Sequence, residues 1–387
     1  MNLEKRIKRH ITAPSHDCLA VVLPGFEAVC RSELEKLGES VSVTGRISGG
    51  ILFRARFVDI LRANLHLRTA VRVLVRIHQA KVSNFSQLEK QAARVPWLLY
   101  LPMGVVPAVR VSSHKSRLFH SEAVAQRIQN QIGLHWQNLG AVPEPAARQT
   151  LYVRLDEDHL LISLDSSGDA LYRRGFKSHP ARAPLRETTA AAILSISGFR
   201  AGRSLVDPMC GAGTFALEAA LMAKGIAPGR RRSFAFMEWP AFRPRQWNHL
   251  IKTADQAVQS LHEPRILAAD QDPAACSRLA EAAARWGLED ALKVVCGDFF
   301  NTRGPGLPGP PGLAALNPPY GRRLDTPGTL KDFYGQIGAT LKQYYKGWRV
   351  AVIVPEPSLA GQLPFKPASR RFRHGGLDVR LLYGKIR

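Results

Sequence analysis

The sequence predicts an α/β protein whose C-terminal part folds around a mostly parallel β-sheet. Apolar segments of strand and helix length alternate from residue 185 onward, which is the order of a parallel sheet wrapped by helices. A glycine-rich turn follows the first of these strands, and an Asn-Pro-Pro-Tyr segment follows the fourth. Both segments come where the chain leaves a strand, at the edge where open α/β sheets bind ligands.

The elements ahead of residue 185 are predicted to form smaller α+β units. Strand-like and helix-like patterns succeed one another up to a hairpin at 151–164, and the polar, basic, Pro-containing stretch 171–183 is interpreted as a linker. The elements predicted after it are helix 185–196, strand 203–207, helix 214–224, strand 265–270, helix 273–286, strand 292–296, strand 313–316, helix 329–345 and strand 348–354.

The charge composition of the chain indicates what kind of partner it binds. The 387 residues include 54 Lys or Arg and 31 Asp or Glu, which gives a net charge of +23. About +10 falls on residues 1–180 and +13 on 181–387, so a polyanion is expected to contact both parts. Nucleic acid is the commonest such partner, and an acidic membrane surface is the rival. No apolar run approaches the roughly 20 residues that a membrane-spanning helix needs, so no membrane-spanning segment is predicted. The expected partner is a nucleic acid and not a membrane.

The cysteines and the N-terminus indicate the compartment. Five cysteines are scattered without any CxxC pair, a pattern that suits reduced thiols in the cytoplasm better than disulfides or a zinc site. The basic first ten residues lack the apolar segment of a secretory signal. We therefore expect a cytoplasmic protein without a bound metal.

The glycine-rich turn is the first candidate for a binding site. The strand at 204–206 runs into Asp207 and Pro208, and Gly211, Gly213 and Thr214 follow before an apolar helix. Glycines here let the backbone turn sharply and let a ligand approach the start of the helix. The turn alone leaves three interpretations open: a dinucleotide site, another nucleoside-binding site, or a structural turn. It lacks the Gly-Lys-Ser/Thr of a nucleoside triphosphatase loop.

Two acidic residues at later strand ends favour a nucleoside ligand. Asp270 ends the second strand, where a carboxylate can accept hydrogen bonds from two ribose hydroxyls in both NAD and S-adenosylmethionine sites. Asp298 follows the third strand and can accept from an adenine amino group. Each could be an ordinary polar strand end, but together with Asp207 they predict a nucleoside site.

The segment after the fourth strand distinguishes between the two cofactors. An exocyclic amino group on a nucleobase is a poor nucleophile because its lone pair is delocalised into the ring. The Asn317 side-chain carbonyl and the Pro318 backbone carbonyl can accept its two hydrogens, while Pro318 and Pro319 donate no amide hydrogen and stiffen the backbone. Tyr320 can stack on an extruded base or be a half-buried core aromatic. These four residues are predicted to be catalytic, with S-adenosylmethionine as the methyl donor.

These motifs resemble a known family, the class I methyltransferases that modify guanine N2 in large-subunit ribosomal RNA and carry an RNA-binding THUMP module. The resemblance covers nearly the whole chain. The segments that carry it are Leu164 to Gly168, Arg174 to Phe176, Ala183 to Thr188, Asp207 to Thr214, Asn317 to Gly321 and a closing hairpin around Gly375 to Leu377.

The resemblance implies a domain organisation and an activity. It implies a ferredoxin-like unit at 1–55, a THUMP domain at 56–165, a linker at 166–184 and a Rossmann-like class I methyltransferase domain with a seven-stranded, mostly parallel sheet at 185–387. The implied cofactor-binding residues are Asp207, Pro208, Gly211, Gly213, Thr214, Asp270 and Asp298. The implied reaction is methylation of a guanine N2 amine in 23S ribosomal RNA. The alternatives are a tRNA guanine-N2 enzyme, a DNA adenine-N6 enzyme and a nonenzymatic RNA-binding protein.

Overall fold

The computed structural model describes residues 2–176, 185–302, 304–307, 309–319 and 329–387. Its strands are β1 Ser15–Val22, β2 Ser42–Ile47, β3 Gly50–Arg56, β4 Ala70–Lys81, β5 Val105–His114, β6 Glu144–Asp156, β7 His159–Asp165, β8 Leu205–Asp207, β9 Ile266–Asp270, β10 Leu292–Cys296, β11 Leu313–Leu316, β12 Arg349–Val354, β13 Ala368–His374 and β14 Leu377–Lys385. Its α-helices are α1 Leu3–Ile7, α2 Glu27–Leu34, α3 Phe57–His66, α4 Phe85–Ala93, α5 Ser121–Asn138, α6 Glu187–Ile196, α7 Thr214–Lys224, α8 Pro244–Gln256, α9 Pro273–Trp286 and α10 Leu330–Tyr344. None of these helices is long and apolar enough to cross a bilayer.

The chain divides into two compact units, and each contains one seven-stranded sheet. The first unit comprises residues 1–22, 30–171 and 231–252, and the second comprises 23–29, 172–230 and 253–387. Residues 231–252 therefore belong to the first unit although they lie, in sequence, within the segment predicted as the methyltransferase domain.

The first unit is built on a sheet with strand order β2-β3-β1-β4-β7-β6-β5. Only its β5–β6 pair is parallel; the other pairs are antiparallel. Helix α5 packs on β5, with its buried residues Val124, Ile128, Ile132 and Trp136 spaced four apart along one face. One continuous sheet thus spans the predicted ferredoxin-like and THUMP modules, whose boundaries at 55 and 165 stay predictions.

The second unit confirms the predicted seven-stranded, mostly parallel sheet. Its strand order is β10-β9-β8-β11-β12-β14-β13. The first five strands in this order are parallel, and β14 and β13 close the sheet as an antiparallel hairpin. The chain moves outward from β8 to β10 and then returns to β11 on the other side of β8. The strand order therefore reverses between β8 and β11, the position where open α/β sheets form a ligand-binding crevice.

Helix α9 shows how the local sequence shapes this crevice. The Asp272 side chain accepts a hydrogen bond from the Ala274 amide at 2.9 Å, and Pro273 occupies the first turn. Both features favour a helix start, and Gly287 ends the helix in a left-handed conformation. The helix consequently begins only three residues after Asp270, which holds the end of β9 in a short, tightly turned connection.

Candidate active site

A cavity of about 690 Å³ lies at the carboxyl edge of the second unit's sheet. Along this edge Asp298 follows β10, Asp270 ends β9, Asp207 ends β8 and Asn317 follows β11. The predicted site residues that line the cavity are Asp207, Pro208, Gly211, Thr214, Asp270, Asp298, Asn317 and Pro319. The structure thus brings together the residues that the sequence analysis selected from four separate strand ends.

The glycine-rich turn forms one wall of the cavity, and Gly211 and Gly213 have different structural roles in it. The Gly211 amide donates a hydrogen bond to Asp270 Oδ2 at 2.7 Å, which ties the turn to the end of β9. Gly213 does not line the cavity. It has a φ of +68°, and a Cβ there would come within 2.3 Å of Leu279 Cδ1 on α9. Gly213 therefore allows the start of α7 to pass close to the Leu279 side chain of α9 in a left-handed backbone conformation.

The carboxylates of Asp270 and Asp298 are fixed but retain acceptor capacity. Asp270 Oδ1 accepts from the Asp272 amide at 3.0 Å. Asp298 Oδ1 accepts from the Phe300 amide and Oδ2 from the Asn301 side chain, each at 3.0 Å. Because an ionised carboxylate offers about four lone-pair sites, both groups can still accept hydrogen bonds from the hydroxyl or amino groups of a ligand.

Asp207 is the most deeply buried acid of the site. Its side chain is 2% exposed, and burial raises the pKa of its carboxyl group to about 8. A hydrogen bond from the Ala216 amide lowers this pKa, whereas the nearby charge of Asp270 raises it further. Without a ligand the Asp207 carboxyl therefore holds its proton at pH values where an exposed aspartate has lost it.

This raised pKa predicts a pH dependence of stability. Between the ordinary pKa near 3.8 and the folded-state value near 8, the folded protein binds a proton that the unfolded chain releases. The free energy of unfolding then falls as pH rises through that interval. In Asp207→Asn this loss should be absent, so Tm measured without cofactor should fall several degrees less from pH 5 to pH 9 than in the wild type. One pKa unit corresponds to about 1.4 kcal/mol, and 1 kcal/mol to roughly 2–4 °C in a domain of this size.

Asp378→Asn is the matched control for this measurement. Asp378 is exposed, and its hydrogen bond with Arg371 lowers the pKa of its carboxyl group, so it stays ionised throughout the pH range. The Tm of Asp378→Asn should change with pH in the same way as the Tm of the wild type. Parallel profiles for the wild type and Asp207→Asn would contradict the burial argument.

Asn317 carries an unsatisfied acceptor. Its Oδ1 atom is buried and accepts no hydrogen bond from any residue that the structure describes. A buried polar atom without a partner costs roughly 1–3 kcal/mol, so this oxygen is a strong candidate for a ligand contact. Pro318 is buried beside it and Pro319 lines the cavity. Tyr320 lies outside the described residues.

Several cavity residues were not predicted from the sequence. Phe299 and Phe300 directly follow Asp298, and Phe333 comes from α10. The rings of Phe300 and Phe333 meet edge to face with their centroids 5.8 Å apart. Two consecutive phenylalanines after an acidic strand end could have indicated an aromatic wall. Phe333 sits in an ordinary amphipathic helix pattern and gives no such signal.

A mostly parallel sheet with a cavity at its switch point, lined by three acids from successive strand ends, is the arrangement of a nucleoside-binding Rossmann-like enzyme, and class I methyltransferases have it. Residues 174–372 match the family described as the RMKL-like methyltransferase domain, and residues 17–74 match the RlmL ferredoxin-like domain. Because the first match covers more than half of the chain, the protein belongs to the RMKL-like methyltransferase family.

Relatives support the same class. A Synechocystis protein that carries the provisional name of an RNA methyltransferase is 29% identical over 378 residues, covering 96% of this chain and 97% of that protein. The ribosomal RNA large subunit methyltransferase K/L of Methylococcus capsulatus is 31% identical over 380 residues, covering 95% of this chain. The chain spans only 51% of the Methylococcus protein.

A solved structure of the same fold contains the product form of the cofactor. SMU.472, provisionally named a methyltransferase and crystallised with SAH, has a TM-score of 0.84 and 26% identity, covering 97% of this chain and 99% of that one. The cofactor of the present protein is S-adenosylmethionine. The cavity fits it because the volume lies in the range of small-molecule sites and because Asp270 and Asp298 have acceptor capacity to spare.

Proposed function

We propose that the protein transfers a methyl group from S-adenosylmethionine to the exocyclic N2 amine of a guanine in 23S ribosomal RNA. The observation that carries the proposal is the buried, unpartnered Asn317 Oδ1 beside the cofactor cavity. The ribosomal RNA substrate is supported by the Methylococcus relative, which is named a ribosomal RNA large subunit methyltransferase. The net charge of +23 supports a polyanionic substrate.

The target amine is activated by the backbone and side chain after β11. Asn317 Oδ1 and the Pro318 carbonyl oxygen accept its two hydrogens, which favours a pyramidal nitrogen whose lone pair is directed at the methyl donor. Pro318 and Pro319 have no amide hydrogen to compete for these acceptors, and their rings restrict the backbone. The contribution of these residues is mainly the positioning of two reactants.

The residues at the ends of β8, β9 and β10 would hold the cofactor. Asp270 would accept hydrogen bonds from the ribose hydroxyls and Asp298 from the adenine amino group. Asp207, Pro208, Gly211 and Thr214 line the cavity near the start of α7. When bound, S-adenosylmethionine supplies an electrophilic methyl group on a positively charged sulfur. The role of Tyr320 in stacking on an extruded guanine stays a prediction from the sequence, because Tyr320 lies outside the described residues. The aromatic side chains of Phe300 and Phe333 help to exclude water.

Nucleoside mass spectrometry tests the substrate. In a strain from which the gene has been deleted, one N2-methylguanosine should disappear from 23S ribosomal RNA and return when the wild-type gene is restored. Purified protein with labelled S-adenosylmethionine should methylate 23S ribosomal RNA from the deletion strain but not from its parent. Loss of methylguanosine from tRNA, loss of N6-methyladenine from DNA, or no change in any nucleoside would contradict the proposal.

A further inference from the structure

Two cysteines lie beside the end of β9, where Asp270 lines the cofactor cavity. Cys276 belongs to the first part of α9, and Cys296 is the last residue of β10. The parallel register of β9 and β10 places Cys296 directly opposite Asp270. Neither cysteine lines the cavity, and the methyl transfer proposed above requires neither of them.

The two thiols contact the same short stretch of backbone. Cys276 Sγ lies 3.4 Å from the Asp270 carbonyl oxygen and 3.5 Å from that of Val295, the residue before Cys296. Cys296 Sγ lies 3.9 Å from the Gln271 carbonyl oxygen. Burial raises the pKa of the Cys276 thiol, and its hydrogen bond with the Cys296 side chain also raises it. The two sulfurs are therefore neighbours, and the turn after Asp270 lies against both.

The two thiols differ in their access to solvent. Cys296 is exposed, whereas Cys276 is buried. An oxidant must reach a cysteine to react with it, and structural thiols in buried surroundings are inert. Cys18 and Cys30 of the first unit are of this inert kind, because both are buried and burial raises the pKa of each thiol. Cys296 is thus the thiol that an oxidant reaches, and Cys276 is positioned to react with it.

The Asp270 carboxylate depends on the backbone that these thiols contact. Its Oδ1 atom accepts from the Asp272 amide at 3.0 Å, and its Oδ2 atom accepts from the Gly211 amide at 2.7 Å. A disulfide brings its two sulfurs to about 2.05 Å, closer than any hydrogen-bonded contact between thiols. It also removes the thiol hydrogen that Cys276 donates to the Asp270 carbonyl. A bond between α9 and β10 at this point therefore shifts the turn that carries Asp270.

We propose that Cys276 and Cys296 form a reversible disulfide, made by a hydroperoxide, that weakens the binding of S-adenosylmethionine. The inference concerns the cofactor site alone and does not depend on the RNA substrate proposed above. In a reducing compartment disulfides of this kind are transient and respond to the redox state. The pair would make methyl transfer sensitive to peroxide.

The oxidation has two steps, and its atoms and electrons balance. The Cys296 sulfur attacks the O–O bond of the hydroperoxide, which gives a sulfenic acid on Cys296 and releases an alcohol, or water if the oxidant is hydrogen peroxide. The Cys276 sulfur then attacks the Cys296 sulfur, and the hydroxyl group leaves as water with the proton of the Cys276 thiol. Together the two cysteines lose two electrons and two protons, which the peroxide takes up. A dithiol reductant reverses the bond by thiol–disulfide exchange.

Peptide mapping of the full-length protein tests whether the bond forms. After treatment with hydrogen peroxide and blocking of free thiols, a nonreducing tryptic digest should contain peptides 266–278 and 294–303 joined by a disulfide. Cleavage after Lys293 separates the two cysteines into these peptides. Dithiothreitol should release both. Peptide 266–278 joined instead to peptide 204–224, which contains Cys210, would overturn the assigned pair.

Isothermal titration calorimetry measures the effect on the cofactor. The oxidised wild type should bind S-adenosylmethionine roughly 10- to 100-fold more weakly than the reduced protein, the range expected when hydrogen bonds to an ionised carboxylate are lost. Dithiothreitol should restore the affinity. Cys296→Ser cannot form the bond, so it should bind the cofactor as the reduced wild type does, both before and after peroxide.

Cys30→Ala is the matched control, because it removes a buried thiol of the first unit. Its affinity should respond to peroxide as that of the wild type does. The proposal is overturned if the oxidised wild type contains no joined peptides, or if the joined protein binds the cofactor as tightly as the reduced one. A loss of affinity as large in Cys296→Ser as in the wild type, or one that dithiothreitol does not reverse, also overturns it.

Discussion

Replacing Asn317 by alanine should lower the rate of methyl transfer by roughly 10²- to 10³-fold, the usual cost of losing one preorganised hydrogen-bonding group in an active site. Affinity for S-adenosylmethionine should be nearly unchanged, because the predicted cofactor contacts come from β8, β9 and β10. The variant loses the buried Oδ1 atom and with it one of the two acceptors proposed for the target amine. Single-turnover methylation and a cofactor-induced rise in Tm measure the two effects separately.

Two further variants test whether Asn317 acts by accepting a hydrogen bond from the target amine. Asn317→Asp keeps an acceptor oxygen and should retain more activity than Asn317→Ala. Asn301→Ala is the matched asparagine control, since the Asn301 side chain donates to Asp298 Oδ2. It should weaken cofactor binding and leave the single-turnover rate at saturating cofactor nearly unchanged. Full activity in Asn317→Ala, or equal losses in Asn317→Ala and Asn317→Asp, would contradict the proposed role.

Replacing Glu218 by alanine should destabilise the protein by about 3–5 kcal/mol, the typical cost of removing one partner from a buried ion pair. Arg174 Nε donates to Glu218 Oε1 at 3.0 Å, and the two side chains are 1% and 0% exposed. Glu218 lies on α7 behind the glycine-rich turn. Arg174 belongs to the second unit, near the start of its 172–230 segment. In the same segment Phe176 packs against Trp286 with ring centroids 4.7 Å apart. Denaturant unfolding measures the loss.

The exposed pair of Arg230 and Asp255 supplies the control. Its side chains are 38% and 42% exposed, and exposed pairs contribute about 0–1 kcal/mol, so Asp255→Ala should have a small effect. The double variant Arg174→Met, Glu218→Leu replaces the buried pair by apolar side chains of similar volume and should recover much of the stability. A Glu218→Ala variant no less stable than Asp255→Ala would show that the buried pair is not required.

The second unit could be predicted closely from the sequence because its signals are local. The predicted helix 273–286 has the same bounds in the structure, where Asp272, Pro273 and Gly287 mark its ends. The predicted strands 292–296 and 313–316 also match. The cavity residues Asp207, Asp270, Asp298 and Asn317 were found because each follows an apolar strand, and parallel strands bring their carboxyl ends to one edge.

Features that depend on contacts between distant parts of the chain escaped prediction. Helix α8 and the placement of residues 231–252 in the first unit were missed, since nothing local marks a segment that packs far from its sequence neighbours. An example is Gln149, which donates to the Ala235 carbonyl at 3.0 Å and accepts from the Trp239 indole at 3.0 Å. Phe333 was missed for the same reason, because only the tertiary fold brings α10 to the cavity.

The return of residues 231–252 to the first unit has a consequence for biosynthesis. The ribosome synthesises the chain from the N-terminus, and N-terminal domains usually fold first as they emerge. Here the first unit lacks its last segment until residue 252 has been made, while part of the second unit, residues 23–29, is made near the start. No single cut separates two complete units. The nascent chain must therefore keep an unfinished first unit in solution while residues 172–230 of the second unit are translated. A gene fragment that ends near residue 180 encodes neither unit in full.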